Sequence, residues 1–297
     1  MTTLGKLGAW CGFVTQTRPA SEVREIAAAL EGAGYESLWF GEALGREAFA
    51  HAALVLSATS RMTVATGIAN IWVRDATAMR NAARTLAEAW PGRFVLGMGV
   101  SHRPLVDVRG HRYDRPVAAM GAYLDAYEQA PYRAAPPAED PPVVLSALGP
   151  KMLRLAAERT DGAHPYFVPV EHTSIARDVM GEGPVLAPEQ TVVLTEDPVE
   201  ARAAARRFMA TYLRLPNYRN SLKRLGWAED ELDEVPDRLV DAIVAWGSPD
   251  RIAERVADHV ERGADHVAVQ CIDREQGTFP LDDHLRLAPA LREAVGA

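Results

Sequence analysis

Short apolar runs alternate with longer amphipathic stretches from one end of the chain to the other. The runs 7–14 (LGAWCGFV), 36–41 (ESLWFG), 62–69 (MTVATGIA) and 93–99 (RFVLGMG) are strand-like. The series continues at 142–147 (PVVLSA), 162–168 (GAHPYFV), 190–195 (QTVVLT) and 265–271 (DHVAVQC). Each is short, apolar and bounded by Gly, Pro or Asp, the pattern of a strand. Between the runs, apolar positions recur at helical spacing: Val23, Ile26, Ala27 and Leu30 within 21–33, and Met79, Ala82, Ala83, Leu86 and Trp90 within 77–90. The same periodicity predicts helices over 117–130, 150–160, 197–213, 249–262 and 281–294.

Local chemistry punctuates these elements. Asp197-Pro198-Val199-Glu200 sets an N-cap carboxylate before a first-turn proline, and Ser248-Pro249-Asp250 repeats the logic. Gly32, Gly162 and Gly263 stand where a helix gives way to a strand, a place where glycine permits the left-handed turn. Strands in strict alternation with helices pair in parallel through crossovers. Eight of them predict a closed (β/α)8 TIM barrel, spanning residues 1–297 as one domain. The alternative is an open doubly wound sheet, but its Gly-rich first turn is missing: Val14–Pro19 carries no glycine. Two stretches break the repeat. Residues 131–141 are Pro-rich and read as a surface loop. Residues 214–247 hold extra helical material, including a predicted Val235–Trp246 helix, and form an insertion before the last strand. Insertions that follow barrel strands lie on the C-terminal, active-site face, so this one reads as a lid or a dimer contact.

Composition narrows the partners. The formal charge is −8 and no Lys/Arg cluster is large enough to track a phosphate backbone, so a small-molecule substrate is expected and nucleic acid is not. No stretch approaches the ~20 apolar residues of a membrane helix, and the N-terminal MTTLGKLGAW lacks a signal-peptide run; a cytoplasmic protein is expected. Cys11 and Cys271 sit in strand-like surroundings and read as buried free thiols. There is no HExxH, no cysteine pair at ligand spacing and no Gly-x-Ser-x-Gly elbow, so no metal is expected.

A barrel binds its ligand at the C-terminal ends of the strands. That rule directs attention to Thr15–Thr17, Gly41–Ala43, Asn70–Arg74, Val100–Arg103, Ala147–Lys151, His164–Tyr166 and Gln270–Asp273. In Ala147-Leu148-Gly149-Pro150-Lys151 a helix starts with no capping side chain. Its amides are either free for an anion such as phosphate, with Lys151 beside them, or simply belong to a Gly-capped helix. Gly67 interrupts a β-branched strand, which marks a bulge or a ligand against the backbone, or else a glycine tolerated in a tight barrel. His102, after Gly97 and Gly99, is a titratable group at the rim. Glu42 directly follows a strand and is placed either for ring contact and acid/base work or for an ion pair with Arg46. His164 and Tyr166 either line the pocket or pack in the core. Such a rim suits a phosphorylated cofactor that carries the chemistry itself.

The runs ESLWFGEALGREAF, RMTVATGIANIWVRDATAMRNAARTLAEAWPGRFVLGMGVSH, SALGPKMLRLAAERTDGAHPYFVPVEHT and VLAPEQTVVLTEDPVEAR resemble luciferase-like monooxygenases, and within them the coenzyme F420-dependent oxidoreductases, over residues 7–272. The resemblance implies a barrel, commonly a homodimer, holding coenzyme F420 (a deazaflavin) or FMN at its mouth. It places the cofactor phosphate on the Gly149-Pro150-Lys151 loop and a ring-backing bulge, with a non-prolyl cis peptide, at or beside Gly67–Ile68. From their places at strand ends, Asn70 is expected to orient the ring with Glu42, and His164 to line the cofactor pocket. Two departures stand out. Family dehydrogenases carry Asp-His where this chain has Glu42-Ala43, and Glu where it has Val100. His102 and Glu42 are therefore the candidates for proton transfer and ring orientation. The expected reaction is hydride transfer between F420 and a small organic substrate. The alternatives are oxygen activation by reduced FMN in a monooxygenase, and a catalytically degenerate cofactor-binding barrel.

Overall fold

The computed structural model describes residues 4–12, 14–273 and 278–297. Phe13 of the strand predicted over 7–14, and residues 1–3 and 274–277 of the predicted domain, lie outside the described residues. The strands are β1 (Leu7–Trp10), β2 (Ser37–Phe40), β3 (Thr63–Thr66), β4 (Ala69–Asn70), β5 (Phe94–Gly99) and β6 (Val143–Leu145). They continue as β7 (Gly162–Ala163), β8 (Val185–Leu186), β9 (Glu189–Val193), β10 (Val244–Trp246) and β11 (Val267–Cys271).

Every pairing is parallel, in the order β10-β9-β11-β1-β2-β3-β5-β6-β7-β8, with β4 on β5. The path closes because β8 and β9 are two halves of one strand, separated by Ala187 and Pro188. At that seam the Ala187 amide donates to Ala163 and the Glu189 amide to Pro165, each at 2.9 Å. β3 and β4 are likewise halves of one strand, broken at Gly67–Ile68. Joining the halves leaves eight staves in a TIM barrel, with β10 outside the circuit on β9.

Strand periodicity of two divides the side chains. Trp39, Ala65, Val95, Val144, Ala187 and Ala268 fill the barrel. Leu38, Val64, Leu96, Leu145, Leu186 and Val269 face the surrounding helices. Gly97 belongs to the inner set by necessity: a Cβ there would lie 1.8 Å from the Thr66 carbonyl oxygen. The Thr66 hydroxyl instead bridges the strands, donating to the Gly97 carbonyl at 2.8 Å and accepting from the Gly97 amide at 2.9 Å.

All seven predicted helices form, as Ala20–Ala33, Ala76–Ala89, Pro116–Gln129, Pro150–Arg159, Pro198–Tyr212, Pro249–Glu261 and Leu281–Val295. Two longer helices were hidden from the periodicity. Ala48–Ala58 is apolar nearly all round, so it shows no stripe, and Val170–Met180 buries His172 and Thr173 on its inner face. The predicted Val235–Trp246 helix is corrected: it runs Asp237–Ile243 and gives way to β10, whose backbone pairs with the β9 edge left bare by β7. The insertion also contains the helices Pro216–Arg224 and Glu229–Glu234. Its Tyr218, Leu222, Leu239 and Ile243 share one apolar cluster with the barrel interior, so the insertion caps the barrel. No helix among the described residues is long and apolar enough to cross a membrane.

Candidate active site

The peptide bond Gly67–Ile68 is cis, at the position the resemblance implied. Thr63–Thr66 and Ala69–Asn70 are buried on either side, whereas Gly67 and Ile68 are partly exposed, so the bulge faces open space. Its back is supported from within the barrel. A Cβ on Gly67 would lie 3.0 Å from both His164 Nε2 and Trp10 Nε1, and one on Gly99 would strike the Ile68 side chain at 2.5 Å. His164 stacks on Trp39 with ring centroids 4.3 Å apart, and its Nδ1 donates to the Ala187 carbonyl at 2.7 Å. Burial pushes its pKa down to about 4, so the ring is neutral, and Nε2 is a buried lone pair with no partner. His164 therefore stands behind the bulge rather than on an open pocket wall.

The start of the helix Pro150–Arg159 differs from two others that also place proline first. Asp197 accepts from the Val199 and Glu200 amides, and Ser248 accepts from Arg251, whereas Gly149 offers no side chain. Among the described residues the Leu148, Gly149 and Lys151 amides have no acceptor. Lys151 is exposed and makes no ion pair among the described residues. Arg224, which the sequence reading missed, lies across this loop from the insertion: its guanidinium is 3.4 Å from where a Gly149 Cβ would be. It makes no ion pair among the described residues either, and partial burial lowers its pKa. Three amide donors, a helix dipole and the Arg224 guanidinium form a cradle that fits a phosphate, with Lys151 in the first turn of the same helix. His172 holds the loop from behind, its Nε2 donating to the Leu148 carbonyl at 2.9 Å. Ala147 is buried as the floor of the segment, and Pro150 is exposed at its edge.

Glu42 is a correction. Its carboxylate accepts from the Ala48 amide at 3.2 Å, the Asn70 amide at 2.8 Å and Arg74 Nη1 at 2.9 Å, and Arg74 Nη2 closes on the other oxygen. With four donors committed to it, Glu42 has no lone pair free for acid/base work; it is a positioning residue. Nor is its partner Arg46, which instead binds the Thr15 and Arg18 carbonyls and His51. Through the Asn70 amide, Glu42 anchors β4 just beyond the cis peptide. Asn70 Oδ1 accepts from the Trp72 amide at 2.9 Å, and among the described residues its NH2 has no acceptor.

His102 follows β5 and meets the insertion. Its Nδ1 is 3.2 Å from Asn217 Oδ1 and its ring centroid 5.4 Å from that of Tyr218. Burial lowers its pKa while the Asn217 contact opposes the shift, so the ring is neutral near pH 7 with Nε2 as its lone-pair nitrogen. Two non-glycine residues with positive φ flank the mouth: Ser101 at 56° before His102, and Phe167 at 58° after Tyr166.

A cleft of about 680 Å³ opens between the ends of β1 and β11 and the helix Pro198–Tyr212. Trp10, Phe208, Tyr212, Ile272 and Phe279 are among its walls, with Gln270 reaching it from β11. Among the described residues, Gln270–Asp273 is the one segment chosen from sequence that borders it; Thr15–Thr17, Asn70–Arg74, Val100–Arg103 and His164–Tyr166 do not. Among the described residues no group of three or more His, Cys, Asp and Glu side chains is placed to hold a metal ion.

Comparison with known proteins identifies the family and the fold. The family description "luciferase-like monooxygenase" matches residues 6–266. A Mycobacterium tuberculosis protein that carries the name of a coenzyme F420-dependent oxidoreductase is 27% identical, over 91% of this chain and 96% of its own. Among solved structures, an F420-dependent secondary alcohol dehydrogenase in complex with an F420–acetone adduct superposes with a TM-score of 0.77 at 15% identity, covering 98% of this chain and 100% of that one. The oxygenating constituent of the Pseudomonas putida 3,6-diketocamphane monooxygenase, in complex with FMN, superposes with a TM-score of 0.71 at 16% identity, covering 99% and 98%. At these identities the superpositions establish the shared barrel.

Proposed function

This chain is an enzyme of the luciferase-like monooxygenase family, and from that premise we propose that it binds coenzyme F420 and transfers a hydride between it and a small organic substrate. The observation that carries the reading is the phosphate cradle: free amides at Leu148, Gly149 and Lys151, with Arg224 facing them from the insertion. FMN and F420 both carry a phosphate, and the cradle accommodates either. Similarity to the mycobacterial relative along 91% of the chain favours the deazaflavin.

When bound, the cofactor supplies a ring carbon that gives or accepts the hydride. The chain supplies the rest. The cradle anchors the phosphate, and the partly exposed Gly67–Ile68 backbone, held by His164 and Trp10 behind it, provides a rigid surface for the ring. Asn70 offers its amide NH2 as a ring contact, and Glu42 with Arg74 keeps that strand end in place. His102 is the proton partner: Asn217 engages Nδ1 and leaves Nε2 to take or return a proton. The insertion excludes water by covering the mouth.

Calorimetric titration of the purified protein with coenzyme F420 and, separately, with FMN tests the proposal. Tight binding of F420 alone supports it. Preference for FMN replaces it with the oxygen-activating reading, and binding of neither removes the cradle from consideration.

A further inference from the structure

The chain has two cysteines, Cys11 and Cys271, both free and buried, and no step of the proposed reaction uses either. They stand at the seam where the first strand of the barrel meets the last. β1 lies beside β11 with Leu7, Gly8 and Ala9 opposite Val267, Ala268 and Val269. Carried two residues further, that register sets Cys11 opposite Cys271. The chain is still in the sheet there, since the Cys11 amide donates to the Trp39 carbonyl at 2.8 Å and the Ile272 amide to the Val192 carbonyl at 3.0 Å. Alternation puts both side chains on one face. Leu7, Ala9 and Cys11 of one strand, and Val267, Val269 and Cys271 of the other, share the apolar layer beneath the helices. Both thiols also act on one phenol, that of Tyr35, whose pKa is raised by burial and then by Cys271 and Cys11.

We infer that Cys11 and Cys271 are an oxidisable dithiol, a modification site whose disulfide staples the first strand of the barrel to the last. Neighbouring strands lie about 4.8 Å apart, and a disulfide joins Cα atoms roughly 4.4–6.8 Å apart. Cys11 stands one residue past β1, just before Gly12, where the chain turns out of the strand with φ 60° and the backbone can adjust to the bond. Both cysteines border the cleft of about 680 Å³, which admits a molecule as small as hydrogen peroxide. The step is a two-electron oxidation by a peroxide. One sulfur, as its thiolate, attacks a peroxide oxygen and breaks the O–O bond, giving a sulfenic acid and one water. The second sulfur displaces the sulfenic oxygen, which leaves as a second water. In total two S–H bonds and one O–O bond break, one S–S bond forms, and a thiol reductant reverses the change. Burial raises the pKa of both thiols, so they rest protonated at neutral pH and answer to sustained peroxide rather than to a brief pulse. The bond closes a loop spanning most of the chain, the case in which a cross-link restrains the unfolded state most. None of this depends on which cofactor the protein binds.

The test exposes the full chain to hydrogen peroxide, unfolds it in an alkylating agent that blocks any remaining thiol, and maps its peptides without reductant. Wild type should give a monomer in which the Cys11 and Cys271 peptides are joined, two hydrogens lighter than their sum, and come apart on reduction. With two cysteines in the chain, a link within one monomer has a single assignment. The joined form should melt about 5 °C or more above the reduced one, and the difference should vanish when a thiol reductant is added. Cys11→Ala and Cys271→Ala should each give no cross-link and no rise in melting temperature on oxidation. The wild-type map and melting curves stand without either variant. Oxygen adducts on either cysteine without a link, thiols that stay open to alkylation, or a disulfide between two chains would overturn the inference. So would a joined form that melts no higher, or a rise in melting temperature that the variants share.

Discussion

Arg74 grips Glu42 with both guanidinium nitrogens, Nη1 donating to Oε2 at 2.9 Å and Nη2 closing on Oε1, in a place where the two side chains are only 9% and 4% exposed. Removing one partner strands a buried charge. Arg74→Met should therefore cost roughly 3–5 kcal/mol of stability in urea unfolding. Loss of under about 1 kcal/mol would mean that the pair is as solvated as a surface bridge. Glu42→Gln should leave the pH profile of turnover unshifted, because the carboxylate holds a strand end and moves no proton.

Gly149 has an extended backbone (φ −102°), so a side chain there is conformationally permitted, and its Cβ would meet Arg224 in ordinary contact at 3.4 Å. Gly149→Asp should fold normally and cap its own helix as Asp197 does. The same carboxylate would occupy the amides and repel phosphate, lowering F420 affinity by about tenfold or more. Arg224→Ala should weaken binding by about threefold to tenfold, with a reduced dependence on salt. Undiminished affinity in Gly149→Asp would place the phosphate elsewhere.

His102 has its pKa lowered by burial, and the Asn217 contact partly restores it. If His102 accepts the proton when an alcohol is oxidised, kcat/KM falls as pH drops through that lowered pKa. Asn217→Ala removes the restoring contact, so the acidic limb should move to lower pH. His102→Ala should reduce kcat far more than cofactor affinity. A limb that does not move in Asn217→Ala would take His102 out of the proton step.

Six buried histidines should govern acid stability, His172 among them with its pKa lowered by burial. Burial holds His51, His164 and His266 at about 4, and His259 and His284 at about 3. Each is depressed below the ordinary 6.5, so the unfolded chain binds the extra protons, and stability falls as pH falls below about 6.5. Each contributes about 1.4 kcal/mol per pH unit until its folded pKa is reached. Thermal melting between pH 7 and 4 reads this slope; a flat profile would show that these rings reach solvent.

Glu189 acts in the opposite direction. Buried in the barrel beneath the Phe167 amide and the Thr191 hydroxyl, its carboxyl is pushed up to about 8 from 4.5. The folded state then holds the extra proton, so stability declines as pH rises from 4.5 to 8. From pH 6.5 to 8 the histidines contribute little and Glu189 governs the slope. Glu189→Gln should flatten that segment and raise the melting temperature at its alkaline end. A decline that persists in Glu189→Gln would assign the slope to another group.

Much of this protein was legible along the chain because it is decided within a turn or two of backbone. Strand and helix alternation follows from periodicities of two and 3.6, and the proline-first helix starts at Pro150, Pro198 and Pro249 follow from local capping chemistry. The bare cap at Gly149 was visible for the same reason, and the resemblance marked the bulge at Gly67–Ile68. Partnership across the barrel was not visible. Sequence spacing offered Arg46 to Glu42, but closure of the barrel brought Arg74 to it. Arg224 reaches Gly149 only because the insertion folds over the mouth. The inward-facing residues Trp10 and His164 meet at Gly67 because a closed sheet turns separate strand ends toward one axis. Local pattern states which groups a segment can present; packing among residues far apart in the chain decides which of them meet, and only the tertiary structure holds that information.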